Sequence, residues 1–158
     1  MYKRQVLSTE MLEHVPDPVS VVREIARILR RDGTLILTAP LGSGIHQEPF
    51  HFYGGYTPYW YERFLGEAGF DRIEITPNGG FFRHFGQEAL RFLRLSSPTR
   101  MGGVSGVLWA PFWIALLPLL GLVLPSIAPW LDRFDREQRF TVGYHVTARR
   151  VSRADARA

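Results

Sequence analysis

Apolar and polar positions along the chain change period several times, and each change marks an element. Gln5 to Thr9, QVLST, is a short apolar run of the kind that forms a buried strand. Asp17-Pro18 reads as a helix N-cap with proline at the first helical position. Val22, Ile25, Ala26 and Leu29 then recur at helical spacing, with Arg23, Glu24, Arg27, Arg30 and Arg31 largely on the other side, and Gly33 is expected to stop the helix. Thr34 to Leu41, TLILTAPL, is β-branched and apolar on both faces, as a central parallel strand should be. Strand, helix and strand at this spacing predict a right-handed crossover.

GSGIHQEPFHFYGG, rich in glycine and histidine, reads as a loop. Thr57-Pro58 repeats the cap-and-proline device, Tyr61, Phe64, Leu65 and Ala68 form the stripe of a second helix, and Gly69 ends it. FDRIEITP alternates and predicts a strand. Residues 82–95 form a basic, aromatic amphipathic stretch, with Arg83, Arg91 and Arg94 set against Phe82, Phe85, Phe92 and Leu93. Phe140 to Arg150, FTVGYHVTARR, predicts a last strand, and residues 151–158 a disordered polar tail.

Residues 101–131 carry no charge and are long enough to span a bilayer. Pro111, Pro118, Pro125 and Pro129 each remove a backbone donor, and a single crossing would strand the final segment on the wrong side. The expectation is therefore a re-entrant hairpin, or a pair of short helices lying in one leaflet. Trp109, Trp113 and Trp130 would sit at headgroup level, and Arg91, Arg94 and Arg100 would meet anionic lipid. The competing reading is a buried helical hairpin or a lid over an apolar substrate.

Composition narrows the choices. Among 158 residues there is no cysteine, which removes disulfides, zinc thiolates and thiol nucleophiles. The net charge of +4 is modest, and no basic block is interleaved with aromatics on a plausible sheet face, so nucleic acid is not an expected partner. The first five residues, MYKRQ, are similar to the translated end of a transposon used in sequencing libraries. They are set aside as a scar, residues 1–5, and the fold is read from Val6.

Glu10, Glu13 and His14 follow the first strand in the spacing E-x-x-E-H. Placed beyond the carboxyl end of that strand, they face the crevice where open α/β sheets bind ligands. Two carboxylates and an imidazole are competent ligands for Mg2+ or Mn2+. The loop after the next strand, with His46, Glu48 and His51, opens on the same edge and offers a fourth ligand. The short GSG at residues 42–44 lacks the lysine and spacing of a phosphate cradle. His84 and His145 are expected to be structural.

LSTEMLEHVPDPVSVVREIARILRRDGTLILTAP resembles the second half of a class I S-adenosylmethionine-dependent methyltransferase of the small-molecule type. HFYGGYTPYWYERFLGEAGF resembles the stretch that follows in that family, and YHVTARR its seventh, antiparallel strand. The resemblance implies a partial Rossmann-like α/β sheet, strands four to seven, over residues 6–150, with residues 82–131 as an apolar, membrane-associating helical insertion before the last strand. It implies that Ser8, Thr9 and Glu10 touch S-adenosylmethionine. By likeness to ubiquinone-pathway O-methyltransferases and small-RNA 2′-O-methyltransferases, it implies Glu10, Glu13, His14 and His51 as Mg2+ ligands. His46 or His51 is the alternative candidate, as general base.

The implied activity is methyl transfer, most simply to oxygen, on a small amphiphilic acceptor such as a quinone precursor, a polyprenyl compound or a lipid-linked sugar, at the cytoplasmic side of a membrane. The glycine-rich loop after the family's first strand and the acidic residue ending its second have no match here, so the polypeptide alone is expected to bind S-adenosylmethionine weakly and to be inactive. An open sheet edge is expected to favour aggregation. The rival reading is a non-catalytic membrane-anchoring scaffold that keeps half of the fold.

Overall fold

The computed structural model describes residues 2–151. The expected tail therefore lies outside the described residues, except for Val151. The chain divides into two compact units, residues 79–141 and the segments on either side of them.

The first unit is a four-stranded sheet with two helices. Its elements are β1 (Lys3–Thr9), a 3-10 turn (Leu12–His14), α1 (Pro18–Ile28), β2 (Leu29–Pro40), α2 (Pro58–Glu67), β3 (Phe70–Pro77) and β4 (Gly143–Arg150). The spatial order is β1-β2-β4-β3. β1 and β2 are parallel, with Leu7 opposite Ile36, while β4 runs antiparallel to both β2 and β3, with Val146 opposite Leu37 and Ile75. β4 thus closes the gap between two strands that point the same way. The backbone N–H of Asn78 donates to the carbonyl of Gly143 at 2.8 Å, where β3 ends and β4 begins.

Local signals account for most of these boundaries. The Asp17 carboxylate accepts from the Ser20 N–H at 3.0 Å and caps α1, whose Val22, Ile25 and Ala26 are buried. Gly69 follows α2 at φ +84, a conformation that costs glycine nothing. Leu12, Leu35, Leu37 and Leu65 are fully buried in one cluster with Val22, Tyr61 and Val146. Each such leucine contributes about 1.5–3 kcal/mol relative to exposure.

Four expectations need correction. The sheet takes in part of the segment set aside as a scar, since β1 begins at Lys3, opposite Leu29. α1 stops at Ile28, and Leu29 is already extended, because only there does its side chain reach the core. Arg30 to Gly33 then bulge out between the register pairs Lys3–Leu29 and Gln5–Thr34, with Asp32 at φ +58. A Cβ on Gly33 would lie 2.8 Å from the Arg30 carbonyl, so this glycine serves a close approach rather than a helix stop. β2 is not buried on both faces: Leu35, Leu37 and Ala39 are buried beside residues of α1 and α2, whereas Ile36 and Thr38 are half-exposed. Finally, β4 starts at Gly143, three residues later than expected.

The second unit is a pair of antiparallel helices. α3 (Phe81–Leu95) is followed by the single turn α4 (Pro98–Met101). A continuous helix, Gly103–Phe134, comes next. It comprises α5 (Gly103–Leu116), a π-helical stretch (Leu117–Val123), α6 (Leu124–Leu131) and a closing 3-10 turn (Asp132–Phe134). Neither a re-entrant hairpin nor two separate short helices forms from residues 101–131. The prolines do not break the helix, because the π turns spanning Pro118 relax the hydrogen-bond spacing where a donor is lost.

α3 is the partner helix of this hairpin. A Cβ on Gly86 would lie 3.2 Å from that of Ala128, and one on Gly121 would lie 3.3 Å from Leu93. The indole N–H groups of Trp109 and Trp113 donate to the carbonyls of Ser96 at 2.8 Å and Leu93 at 2.9 Å. Two carboxylates from the far end cap α3. Asp132 accepts from the N–H groups of Gly80 and Arg83, and Asp135 from that of Phe81.

Candidate functional site

Two loops leave the carboxyl ends of the parallel strands β1 and β2, and they are fastened to each other. The first carries Glu10, Glu13 and His14, the second His46 and His51. The N–H groups of Phe52 and Tyr53 donate to the Glu13 carbonyl at 2.8 and 3.3 Å. The Tyr53 hydroxyl donates to the Pro16 carbonyl at 3.0 Å, and that of Tyr56 to the Leu12 carbonyl at 2.7 Å. Ser43 and Gly54 close the base of the second loop. These bonds hold His46 and His51 against the first loop.

The result is a cluster of three imidazoles beside a buried carboxylate. The His14 ring centroid lies 4.8 Å from that of His46 and 5.8 Å from that of His51, and the last two are 4.6 Å apart. One ligand atom each from Glu13, His14 and His46 lie within 4.8 Å of one another. Glu13 is 1% exposed. Burying a carboxylate this deeply is costly unless something positive or hydrogen-bonding meets it.

Hydrogen bonding fixes which nitrogens are free. His14 Nδ1 lies 2.6 Å from the Phe50 carbonyl, and His46 Nδ1 lies 2.9 Å from that of Gly44. A carbonyl only accepts, so both rings carry their proton on Nδ1, and in the neutral form each Nε2 presents a lone pair. The Ser43 hydroxyl donates to the Gly54 carbonyl at 3.2 Å and therefore accepts from His51 Nε2 at 3.1 Å, which frees His51 Nδ1. His14 Nε2 faces Glu13 Oε1 at 3.8 Å, and neither His14 Nε2 nor Glu13 Oε2 has a hydrogen-bond partner. Two acceptors directed at each other in a buried place call for a proton or a cation between them. The donor set passes the test of fitness for a metal ion, and the carbonyls behind His14 and His46 are the usual outer support of metal-bound imidazoles.

Of the residues read from sequence, the structure brings Glu13, His14 and His46 together, with His51 at the edge of the group. Glu10 lies outside it. Its backbone turns to φ +46 as its N–H donates to the Thr38 carbonyl, and its side chain is exposed. At the end of β1, Ser8 is buried with a hydroxyl that has no hydrogen-bond partner; Thr9 is exposed. Sequence reasoning passed over Tyr53 and Tyr56, whose hydroxyls anchor the histidine loop. The run of aromatics in FHFYGGY was the only signal for them. His145 is exposed on β4.

Residues 5–37 match the family model described as Methyltransferase domain. No curated protein sequence matches the chain. Among solved structures, a protein described as a sarcosine dimethylglycine methyltransferase from Galdieria sulphuraria is similar at 15% identity and a TM-score of 0.50, covering 95% of this chain and 54% of its own. Phosphoethanolamine N-methyltransferase 2 of Haemonchus contortus, solved with S-adenosyl-L-methionine, is similar at 15% identity and a TM-score of 0.48, covering 96% of this chain and 35% of its own. A SAM-dependent methyltransferase from Archaeoglobus fulgidus is similar at 13% identity and a TM-score of 0.47, covering 94% and 60%. The chain thus spans between about a third and three-fifths of these relatives. The matched segment, the reversed strand β4 and the likeness to the Galdieria protein give the chain the partial Rossmann-like fold of a class I S-adenosylmethionine-dependent methyltransferase domain.

Proposed function

We propose that this chain supplies the acceptor-binding side of an S-adenosylmethionine-dependent methyltransferase acting on a small amphiphilic molecule, such as a quinone precursor, a polyprenyl compound or a lipid-linked sugar, at oxygen. The observation that carries the reading is the cluster of Glu13, His14, His46 and His51 at the carboxyl ends of β1 and β2, where sheets of this class bind their ligands. Ser8, Thr9 and Glu10, at the end of β1, would contact the cofactor, which when bound supplies an electrophilic methyl group on sulfur.

Glu13, His14 and His46 would hold a divalent ion, whose chemistry is to gather two acceptor oxygens and favour the ionised form of one. A donor set richer in nitrogen than in oxygen suits Mn2+ better than Mg2+. His51 stands beside this group with Nδ1 free, placed to take a proton from the acceptor hydroxyl.

Two measurements test the proposal. Titration calorimetry of this chain with MnCl2 should show one site, weakened at least about tenfold by Glu13→Gln or His46→Ala; equal binding by both variants rules out the metal assignment. In the polypeptide where this segment follows the family's glycine-rich first strand, methyl transfer from S-adenosylmethionine to a short-chain polyprenyl catechol should fall on the order of 100-fold in His51→Ala. Full activity of that variant removes His51 as the base.

A further inference from the structure

We infer that residues 79–141 are a membrane-docking hairpin that lies within one leaflet of an anionic bilayer without crossing it. The inference rests on this unit alone and stands whether or not the methyl-transfer reading does.

The first observation is exposure. Val104, Val107, Leu108, Phe112, Ile114 and Leu122 are between 60% and 75% exposed along the long helix. A helix that is apolar all round belongs inside a protein core or in lipid, and this one is in no core. The second observation is polar satisfaction. Between residues 101 and 131 there is no charged side chain, and the indoles of Trp109 and Trp113 spend their N–H groups on backbone carbonyls of the partner helix. Little of the exposed surface therefore demands water. The third is charge at the margins. Seven arginines and four carboxylates lie in this unit, all outside the uncharged stretch. That excess matches an anionic headgroup layer.

The topology then decides between crossing and lying flat. The unit leaves from the end of β3 and returns to the start of β4, strands paired in one sheet, so any crossings must be even in number. The long helix could cross once, and α3 would have to cross back. α3 has 15 residues, about 22 Å at the α-helical rise, against a hydrocarbon core of about 30 Å. It also carries Arg83, Glu88, Arg91 and Arg94. It cannot cross, so the turn at α4 and both ends of the unit stay on one side, with the exposed apolar face pressed about 5–10 Å into the leaflet. A second copy of the chain would cover one stripe of the long helix and leave the others wet, which is why lipid is the better occupant.

The test uses the full chain and vesicles of phosphatidylcholine and phosphatidylglycerol at about 7:3. After detergent removal the protein should float with the vesicles, and with at least about threefold less on pure phosphatidylcholine. The triple variant Leu108→Asp, Phe112→Asp, Leu122→Asp should lose flotation by about tenfold or more, while its circular dichroism in detergent matches the parent. Parent protein that stays in the aqueous fraction, as a monomer or as a dimer hiding this face, overturns the inference, as does undiminished flotation of a folded triple variant.

Should the triple variant not fold, single-cysteine labelling decides, since the chain has no cysteine of its own. Ser97→Cys at the hairpin turn and Glu137→Cys at the far end should both react with an impermeant maleimide added outside intact vesicles carrying externally bound protein. Protection of Ser97→Cys until the vesicles are lysed would show a crossing and overturn the in-plane arrangement.

Discussion

Buried tyrosines set the behaviour of the first unit at high pH. Burial pushes the Tyr56 hydroxyl well above the ordinary tyrosine range, and Tyr53 and Glu13 add to it; burial does the same for Tyr61, with Tyr56, Glu10 and Glu13 contributing. Burial also raises Tyr144. In the unfolded chain these groups ionise near pH 10, about the free value. Above that pH the unfolded state binds fewer protons than the folded one, so stability falls as pH rises. Urea midpoints should be insensitive to these groups below about pH 9 and drop beyond about pH 10. The two hydroxyls differ in partners. Tyr56→Phe forfeits the bond to Leu12 and should cost about 1 kcal/mol. Tyr61→Phe removes a buried hydroxyl that has no partner and should be neutral or stabilising in the same urea titration. At this scale the sequence grouped Glu13 and His14 with the histidine loop, but it included Glu10 and favoured His51 over His46 as the further ligand. Glu10 sits three residues from Glu13, so spacing alone places them together. The turn that carries Glu10 outward is fixed by its bond to Thr38, a residue 28 positions away, which no local pattern reveals.

Elements were legible where local chemistry marks both ends. Asp17-Pro18 opens α1 and Gly69 closes α2 as read. The end of α1 was not legible, since Leu29 fits the helical stripe equally well and only its place beside β1 draws it into the sheet. The long helix was misjudged for a similar reason. Proline costs a helix about 3 kcal/mol in isolation, and four of them argued for breaks, yet packing against α3 and the π turns keep the helix whole. Gly86 faces Ala128 closely in that packing, where an added Cβ would lie 3.2 Å from the alanine Cβ. Gly86→Val should push the helices apart and destabilise the hairpin by about 1–3 kcal/mol, read as an earlier loss of helical ellipticity on heating in detergent. Gly86→Ala should cost less, because its neighbour Ala128 ends in a methyl group.

For the whole molecule, the reversal of β4 follows the expectation of an antiparallel last strand, and the observed order is β1-β2-β4-β3. That expectation came from the resemblance; helical and alternating periods mark where each strand lies, not its order or direction in the sheet. What no period carries is how residues 79–141 join the sheet. Asn78 and Gly143 are hydrogen-bonded neighbours, so the chain departs and re-enters at a single rung. A segment inserted between such neighbours costs only about 0.6 kcal/mol more in loop-closure entropy for each doubling of its length. It is expected to behave as an exchangeable cassette. Replacing residues 79–141 with a two-residue Asn-Gly turn should leave the strands paired and the tyrosine core intact, measurable as retained cooperative unfolding. Lengthening or trading that cassette would then let the same sheet be readdressed to a different surface without redesigning it.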